Sequence, residues 1–406
     1  MAGAAAPHRV LPFLGCSVRW MREPRDRLFT SALVALTAAD LAYFTAAGVL
    51  IGVTPFFAAG PLGAGAAGVG LAVGAFSVTT LVLRPLAGRW SDRYGRRPLL
   101  IGGAGLFAVL IGGHLLVTDL AWLVGLRVLL GVAEAVFFVA GFAALADLAP
   151  PGRAGEALSY SSLALYFGVA GGPLVGQALL GWGGFGWVWV GAALCALVAA
   201  IFAARVPETQ QPSDAASPPA PLIHPAALVP GLGLFTGVAA GGALFAFGAL
   251  RAAELGLNAW SVVLLVYGSV VGTCRILFAT LPDRVRPLRL AAGALATSAL
   301  GLVVVAVVPA LWGVLVGAAV LGVGTALLTP AVFVAIFAVV PDSERGSAAG
   351  TASVFIDLGL GGGPMIVGFV AAAGGISAGF LAAAALATGG AALLAARPRA
   401  AGARAD

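Results

Sequence analysis

Lysine is absent from this sequence of 406 residues, and charged residues of all kinds make up only 9% of it. Soluble globular proteins carry about 25% charged residues, so a chain this poor in charge could not cover a water-exposed surface. Hydrophobic residues reach 61%, and the mean hydropathy is +1.05. These figures exclude a cytosolic enzyme, a nucleic-acid-binding protein and a disordered scaffold.

Cysteine is also scarce, since only Cys16, Cys195 and Cys274 are present and their wide spacing predicts no disulfide framework and no metal site. The sequence has no phosphate-binding loop, no His-Glu-x-x-His helix and no nucleophile–base arrangement. We therefore expect no cofactor, no metal and no enzymatic activity. The net charge of +6 comes from arginines near helix ends, so we expect no nucleic-acid partner.

Long apolar runs are what the sequence does contain. A helix needs about 20 apolar residues to span a bilayer, whereas a membrane β-barrel would show alternating segments of about 10 residues. The runs here are long and continuous, which predicts an all-α membrane protein. We place twelve spans at 28–53, 67–86, 99–117, 121–147, 156–180, 187–205, 226–252, 257–281, 289–308, 311–340, 347–372 and 376–397.

The arginines alternate between the two sides of this topology. One side holds the tails and the arginine-rich connections, whereas the loops of the other side hold only Arg251. Positive residues concentrate in cytoplasmic loops, so both termini are predicted to be cytoplasmic. Residues 1–27 lack the apolar core of a signal peptide and are predicted to form a cytoplasmic tail. The arginine-, alanine- and glycine-rich composition indicates a bacterial protein, and therefore the inner membrane.

A polar, proline-rich segment at 206–225 separates six predicted spans from six. The predicted organisation is a tail at 1–27, a six-helix bundle at 28–205, a cytoplasmic linker at 206–225, a second bundle at 226–397 and a tail at 398–406. An internal repeat supports this division, because RPLAGRWSDR at Arg84 matches RILFATLPDR at Arg275. The same offset of 191 residues relates Pro173 to Pro364. Two parallel six-helix halves are typical of transporters built from repeats.

The loop between predicted spans 2 and 3 reads GRWSDRYGRR over residues 88–97. It resembles the 2–3 loop signature of the major facilitator superfamily in Gly88, Asp92, Arg93, Gly95, Arg96 and Arg97. The resemblance implies two pseudo-symmetric six-helix bundles that transport by alternating access. It also implies that Asp92 faces the N-terminus of span 11 and that Arg96 pairs with Asp147, as a cytoplasmic latch between the halves.

Two further spans resemble signatures of that superfamily. Span 4 matches at Leu123, Arg127 and Gly131. Span 5 resembles the glycine-rich signature associated with antiporters, although Gln177 stands at its last glycine; the matching residues are Gly168, Gly172, Pro173 and Gly176. Ordinary packing of small residues between helices is the alternative explanation.

Six ionisable residues fall inside predicted spans: Asp40, Arg84, Arg127, Glu134, Arg275 and Asp357. A charge at the bilayer centre costs at least about 2.5–3.5 kcal/mol, so such groups face a cavity or a partner. Arg127 and Glu134 are two helical turns apart and share a face. We expect Glu134 to carry a coupled proton with Arg127 as its modulating cation, or else to form a static ion pair with it. Asp40 is the second candidate for the proton.

We expect the other three ionisable residues within predicted spans to have different roles. Arg84 and Arg275 lie near the cytoplasmic ends of their spans and are predicted to be structural anchors. Asp357 replaces Tyr166 at the repeat offset, an asymmetry that points to function or to divergence alone.

Together these features predict a secondary active transporter, specifically a proton-coupled efflux antiporter of a small hydrophobic compound such as a drug, antibiotic or natural product. Its partners would be this substrate, protons and the lipid bilayer, and it would act as a monomer. The alternative is a sugar or metabolite facilitator or symporter of the same fold.

Overall fold

The computed structural model describes residues 29–150, 154–210, 223–278, 280–341 and 345–396, and all regular structure among them is helical. Nine described helices are long and apolar enough to cross a membrane. Two of these nine bend into two parts each, and the shorter apolar helix Ser261–Leu277 completes a set of twelve spans. The prediction of an all-α, twelve-span membrane protein is confirmed.

In the first half, the helices are Ser31–Ala59 (span 1), Ala66–Gly74 with Phe76–Tyr94 (span 2), Arg96–Gly112 (span 3), Leu120–Leu148 (span 4) and Ala154–Ala203 (spans 5 and 6). A 3-10 turn, Gly113–Leu116, follows span 3. In the second half they are Pro225–Glu254 (span 7), Ser261–Leu277 with Leu281–Arg284 (span 8), Pro287–Val307 (span 9), Leu311–Phe337 (span 10) and Arg345–Ala395 (spans 11 and 12).

The repeat seen in the sequence is present in the backbone. Spans 5 and 6 are separated at Gly184, with φ +76°, and spans 11 and 12 at Gly375, with φ +80°; these glycines are 191 residues apart. A positive φ is readily adopted only by glycine, so both bends depend on the absence of a side chain. The sequence repeat and the backbone repeat therefore coincide.

Close packing between spans repeats at the same offset. Gly131 of span 4 lies against the carbonyl of Phe76, and its equivalent Gly322 of span 10 lies against the carbonyl of Tyr267. A Cβ atom at Gly131 would collide with its neighbour. Lipid is as apolar as the helix surfaces, so such close packing, rather than hydrophobic burial, holds membrane helices together.

The molecule has two distinct ends. We call the end that carries the connections between spans 2 and 3 and between spans 8 and 9 the arginine-rich end. At the opposite end the two halves touch: the ring of Phe56 in span 1 lies 4.4 Å from that of Trp260 at the start of span 8. Gly70 of span 2 also lies against the backbone of Pro364 in span 11. These contacts join the two halves at the opposite end.

Candidate functional site

A cluster of three charged side chains lies where the two halves meet. The Arg84 Nε atom is 3.0 Å from Asp357 Oδ2, and Arg84 Nη2 is 3.6 Å from Glu134 Oε1. The Arg84 guanidinium also lies 4.4 Å from the ring centroid of Phe138. The Asp357 side chain is only 2% exposed, whereas those of Arg84 and Glu134 are 17% and 16% exposed. The three charges are thus largely withdrawn from solvent.

This cluster joins the two bundles. Arg84 and Glu134 come from spans 2 and 4 of the first half, and Asp357 comes from span 11 of the second half. One guanidinium faces two carboxyl groups, so the cluster is neutral when it holds one proton and carries an excess negative charge without it. An uncompensated charge in a membrane interior is costly, so the charge balance of this cluster bears on the stability of the interface.

The structure corrects the predicted partner of Glu134. Arg127 is buried and donates through Nε to the carbonyl of Ala72 at 2.9 Å and through Nη2 to that of Val73 at 3.2 Å. Its guanidinium lies 5.3 Å from the Phe76 ring. These groups flank the break between the two helices of span 2, so Arg127 stabilises that break. The cation beside Glu134 is Arg84, which was predicted to be only an anchor.

Asp40 occupies a separate place. It lines a cavity of about 40 Å³ between spans 1, 4 and 5. The other lining residues are mainly aromatic and aliphatic: Phe44, Phe138, Gly141, Phe142, Leu145, Ser161 and Leu165. Among the described residues, none forms an ion pair or a hydrogen bond with the Asp40 carboxyl group.

Arg275 occupies the position in the second half that Arg84 occupies in the first. Its guanidinium lies 4.5 Å from the ring centroid of Tyr166 in span 5. Tyr166 is the repeat equivalent of Asp357. The two arginines therefore contact equivalent positions on the facing half. Arg84 contacts the carboxylate of Asp357, and Arg275 contacts the phenol ring of Tyr166.

The antiporter-like residues of span 5 pack against span 1. Gly168 lies against the backbone of Thr45, and Gly172 lies against Gly48. Pro173 contacts Gly52, and Gly176 lies against Val53; any Cβ atom added at these glycines would crowd its neighbour. This arrangement permits close helix approach in the way expected for small residues.

At the arginine-rich end, a carboxylate caps span 3. Glu208, which follows span 6, accepts hydrogen bonds from the backbone N–H groups of Arg96 at 2.9 Å and Arg97 at 3.2 Å. Gly95 lies between spans 2 and 3 with φ +94°, and a Cβ atom there would collide with the Glu208 carboxylate. Burial pushes the pKa of Glu208 upward, but the four N–H donors of Gln210, Arg96, Arg97 and Thr209 outweigh it and hold the pKa below its ordinary value.

The expected contact between Arg96 and Asp147 is present. Arg96 Nε lies 3.2 Å from Asp147 Oδ2, which also accepts a hydrogen bond from the Thr209 hydroxyl at 2.9 Å. These residues and Glu208 all belong to the first half and the chain just after it. The Arg96–Asp147 contact therefore ties the end of that bundle together and does not itself join the two halves.

The other latch residues are placed less fully. Gly88 lies within span 2, and the Arg93 guanidinium lies 5.4 Å from the ring of its neighbour Tyr94. Arg97 donates to the carbonyl of Ala204 at 2.7 Å. The side chain of Asp92 lies outside the described residues, as do residues 1–28, most of the linker and residues 397–406.

Comparison with known proteins places the chain in a family. The family model described as Major Facilitator Superfamily matches residues 36–315 and 283–405. An uncharacterized MFS-type transporter of Burkholderia mallei (strain SAVP1) is 31% identical over 394 residues, covering 91% of this chain and 93% of that protein. A similarly named protein of Pseudomonas aeruginosa (strain LESB58) is 32% identical over 372 residues, covering 87% and 89%.

Solved structures share the fold. The inward-facing, unoccupied structure of a bacterial homolog to the human lysosomal transporter Spinster has a TM-score of 0.69 at 17% identity, covering 89% of this chain and 95% of that one. The nucleoside transporter NupG has a TM-score of 0.74 at 13% identity, covering 90% and 99%. The class is therefore that of multi-pass membrane transporters, not of enzymes. This chain belongs to the major facilitator superfamily.

Proposed function

We propose that this protein is a proton-coupled antiporter that exports a small hydrophobic compound, with Arg84, Glu134 and Asp357 as its coupling cluster. The observation that carries the proposal is the ion pair between Arg84 and Asp357, because it links the two halves of a transporter across their interface. Glu134 contacts the same guanidinium from span 4. Glu134 and Asp357 are therefore the proposed proton carriers, and Arg84 is the cation that competes with the proton.

The physical argument concerns the movement of the halves. Alternating access rocks one bundle against the other, and this motion changes the separation of Arg84 from Asp357. A proton that neutralises a carboxyl group weakens its attraction to Arg84. Protonation then has a different free energy in the two states, which is the requirement for a ligand to shift a conformational equilibrium.

The proposed orientation places the arginine-rich end in the cytoplasm of a bacterial inner membrane, following the distribution of arginines across the loops. Both termini and the 206–225 linker would then be cytoplasmic. The contacts between the halves at the opposite end, between Phe56 and Trp260 and between Gly70 and Pro364, would then lie on the periplasmic side. We propose that the protein transports its substrate as a monomer, in which each half of the chain contributes one six-helix bundle.

The proton gradient is sufficient for export. The membrane potential supplies about 2.3 kcal/mol per charge per 100 mV, and each pH unit supplies about 1.4 kcal/mol. One entering proton would therefore support more than tenfold concentration of a neutral compound outside the cell, whereas a compound that leaves as a monovalent cation would draw on the pH gradient alone.

The test begins with efflux-deficient bacteria, with and without the protein. It identifies a compound that accumulates less inside the cells that express the protein. That compound is then followed in proteoliposomes under an imposed pH gradient. We expect gradient-driven transport by the wild type, and at least tenfold slower transport by Glu134→Gln and Asp357→Asn. Exchange of the compound between equal pools should persist in at least one of these variants, because the substrate pathway is intact.

Glu254→Gln is the matched control, since Glu254 is a half-exposed carboxylate at the opposite end, 3.3 Å from Arg251. It should transport like the wild type. Transport that ignores the pH gradient in the wild type would contradict proton coupling and favour the facilitator alternative. Full gradient-driven transport by the Glu134 and Asp357 variants would instead contradict the assignment of these two carboxyl groups.

A further inference from the structure

We infer that the Asp40 cavity binds the protonated amino group of a lipophilic primary or secondary amine. The inference rests on the proposed transport function and adds the chemical class of the substrate. The coupling cluster explains how a proton is used, but Asp40 takes no part in it. Asp40 is nevertheless an acidic residue inside span 1, where an ionisable group has a partner or a purpose.

No cation among the residues that the structure describes balances the charge of Asp40. The cations that reach this part of the first half are already engaged, because Arg84 contacts Asp357 and Glu134, and Arg127 contacts backbone carbonyls. A carboxylate in an apolar cavity is neutralised either by a proton or by a cation from outside. A cationic ligand is one way to neutralise Asp40, and the cavity beside Asp40 has space for the charged group of such a ligand.

The lining of the cavity suits an ammonium group. Phe44, Phe138 and Phe142 line the cavity, and the ring of Phe138 lies 6.4 Å from that of Phe44 and 4.6 Å from that of Phe142 between centroids. The faces of aromatic rings attract cations, and a set of them next to a carboxylate is the usual chemistry of amine recognition. Sugars and anions would instead require several hydrogen-bond donors, which this lining does not supply.

Size and hydrogen bonding narrow the class further. A volume of about 40 Å³ holds roughly three water-sized groups, enough for an amino head but not for a whole lipophilic molecule. Ser161 adds a hydroxyl oxygen that can accept an N–H bond; it lies 3.2 Å from the hydroxyl of Thr37. An amine that retains N–H groups therefore fits better than a quaternary ammonium, and its apolar body would extend out of the cavity.

Phe138 connects this cavity to the coupling cluster. Its ring lines the cavity, and the Arg84 guanidinium lies 4.4 Å from its centroid. Arg84 and a bound ammonium group would thus contact the same ring. The positive charge of Arg84 is offset by the two carboxyl groups that it contacts, which weakens its repulsion of a second cation near this ring.

The experiment measures equilibrium binding without any gradient. The purified full chain in lipid nanodiscs is titrated with 4-fluorobenzylammonium and with neutral 4-fluorobenzyl alcohol, followed by ¹⁹F NMR line broadening at pH 7. We expect the ammonium compound to bind at least tenfold more tightly than the alcohol. Asp40→Asn should remove this tenfold preference while leaving the weak alcohol binding unchanged. N,N,N-trimethyl-4-fluorobenzylammonium should bind more weakly than the primary amine.

Two further variants make the test decisive if Asp40→Asn folds poorly. Asp40→Glu keeps the charge and should keep a preference for the ammonium compound, and Ser161→Ala should weaken ammonium binding by a fewfold without affecting the alcohol. Glu254→Gln is the matched carboxylate control and should bind like the wild type. Equal ammonium affinity in wild type and Asp40→Asn, or no preference for the ammonium compound in wild type, overturns the inference. Binding that survives in a protein without gradient-driven transport would refute the proposed coupling alone.

Discussion

The two interfaces between the halves share a plan and differ in chemistry. Toward the opposite end, spans 2 and 11 meet through bare backbone, with Gly70 packed against Pro364 and Gly368. At the equivalent place, spans 5 and 8 meet through a side-chain amide. Gln177 donates to the carbonyl of Asn258 at 3.1 Å and accepts from the N–H of Ser261 at 2.9 Å. Gly368 is the repeat equivalent of Gln177.

Nearer the arginine-rich end the contrast is one of charge. Arg84 meets a carboxylate of span 11, whereas Arg275 meets the Tyr166 ring of span 5. The repeat equivalent of Glu134 is Thr325, which is also uncharged at neutral pH. Among these residues, carboxyl groups that a proton could neutralise therefore occur at the interface of spans 2 and 11 and not at its equivalent.

The largest effect should come from removing the central cation of the charged interface. Arg84→Met leaves Glu134 and Asp357 without their shared cation, and breaking one side of a buried ion pair costs about 3–5 kcal/mol. We expect transport at least tenfold slower and a clearly lower midpoint of thermal unfolding in detergent. The loss should shrink at acidic pH, because protonated carboxyl groups no longer need the guanidinium.

Arg275→Met provides the comparison across the repeat. It removes only a cation–π contact, worth about 0.5–2 kcal/mol, and should lower the unfolding midpoint far less. Combining Arg84→Met with Glu134→Gln and Asp357→Asn should recover much of the lost stability but not gradient-driven transport. Equal destabilisation by the two arginine variants, with no dependence on pH, would mean that the charge difference between the interfaces has no energetic importance.

An intermediate effect is expected at Gln177. Gln177→Gly restores the residue of the antiporter signature and removes two hydrogen bonds between the halves, each worth about 1 kcal/mol. Together they are worth about 2 kcal/mol, so the equilibrium should shift about thirtyfold toward the state that is open at the opposite end. Spin labels at Ala59→Cys and Ala259→Cys, both exposed and on different halves, report this opening as a longer distance in pulsed electron paramagnetic resonance.

The labels require a background in which the three native cysteines are replaced by alanine. Gly368→Ala tests the equivalent position, where a Cβ atom would crowd the carbonyl of Ala66, and should also favour opening. Gln177→Glu keeps the acceptor for the Ser261 N–H but loses the donor to Asn258, and should lie between glycine and wild type. An unchanged distance distribution in Gln177→Gly would show that the amide does not hold this end closed.

Most of the fold could be predicted because its determinants are local or repeated. Bilayer thickness sets the span length, so apolar runs alone locate the helices. The 191-residue offset located the second half. Gly184 and Gly375, which are related by this offset, also share a positive φ, so the repeat holds for individual backbone angles. The break in span 2 after Gly74 was missed, since no local signal distinguishes it from a continuous helix.

The candidate site was harder to predict, because charge partners depend on helix rotation and on contacts between distant spans. Arg127 and Glu134 share a helix, so sequence spacing favoured their pairing. The structure instead brings Arg84 to Glu134 from another span, 50 residues away along the chain. Asp357 did carry a usable signal, since it breaks the repeat at Tyr166. Gln177 carried a similar one, because it departs from the signature that surrounds it.

The smallest effect should come from Glu208, which stabilises one bundle without contributing to either interface. Glu208→Gln keeps an acceptor oxygen but loses the charge that favours the N–H groups of Arg96 and Arg97 at the start of span 3. The pKa of Glu208 lies below its ordinary value, so its stabilisation is complete above the unfolded-state pKa of about 4.3 and disappears as the pH falls through the lower folded-state pKa. We expect the midpoint of thermal unfolding of Glu208→Gln to lie roughly one to three degrees below that of the wild type at pH 7. This difference between the two midpoints should disappear as the pH falls below about 4. Thermal unfolding from pH 3 to 7 measures this, with Glu254→Gln as the control that should show a smaller gap at pH 7. A gap that stays constant over this range would show that the Glu208 charge does not stabilise the start of span 3.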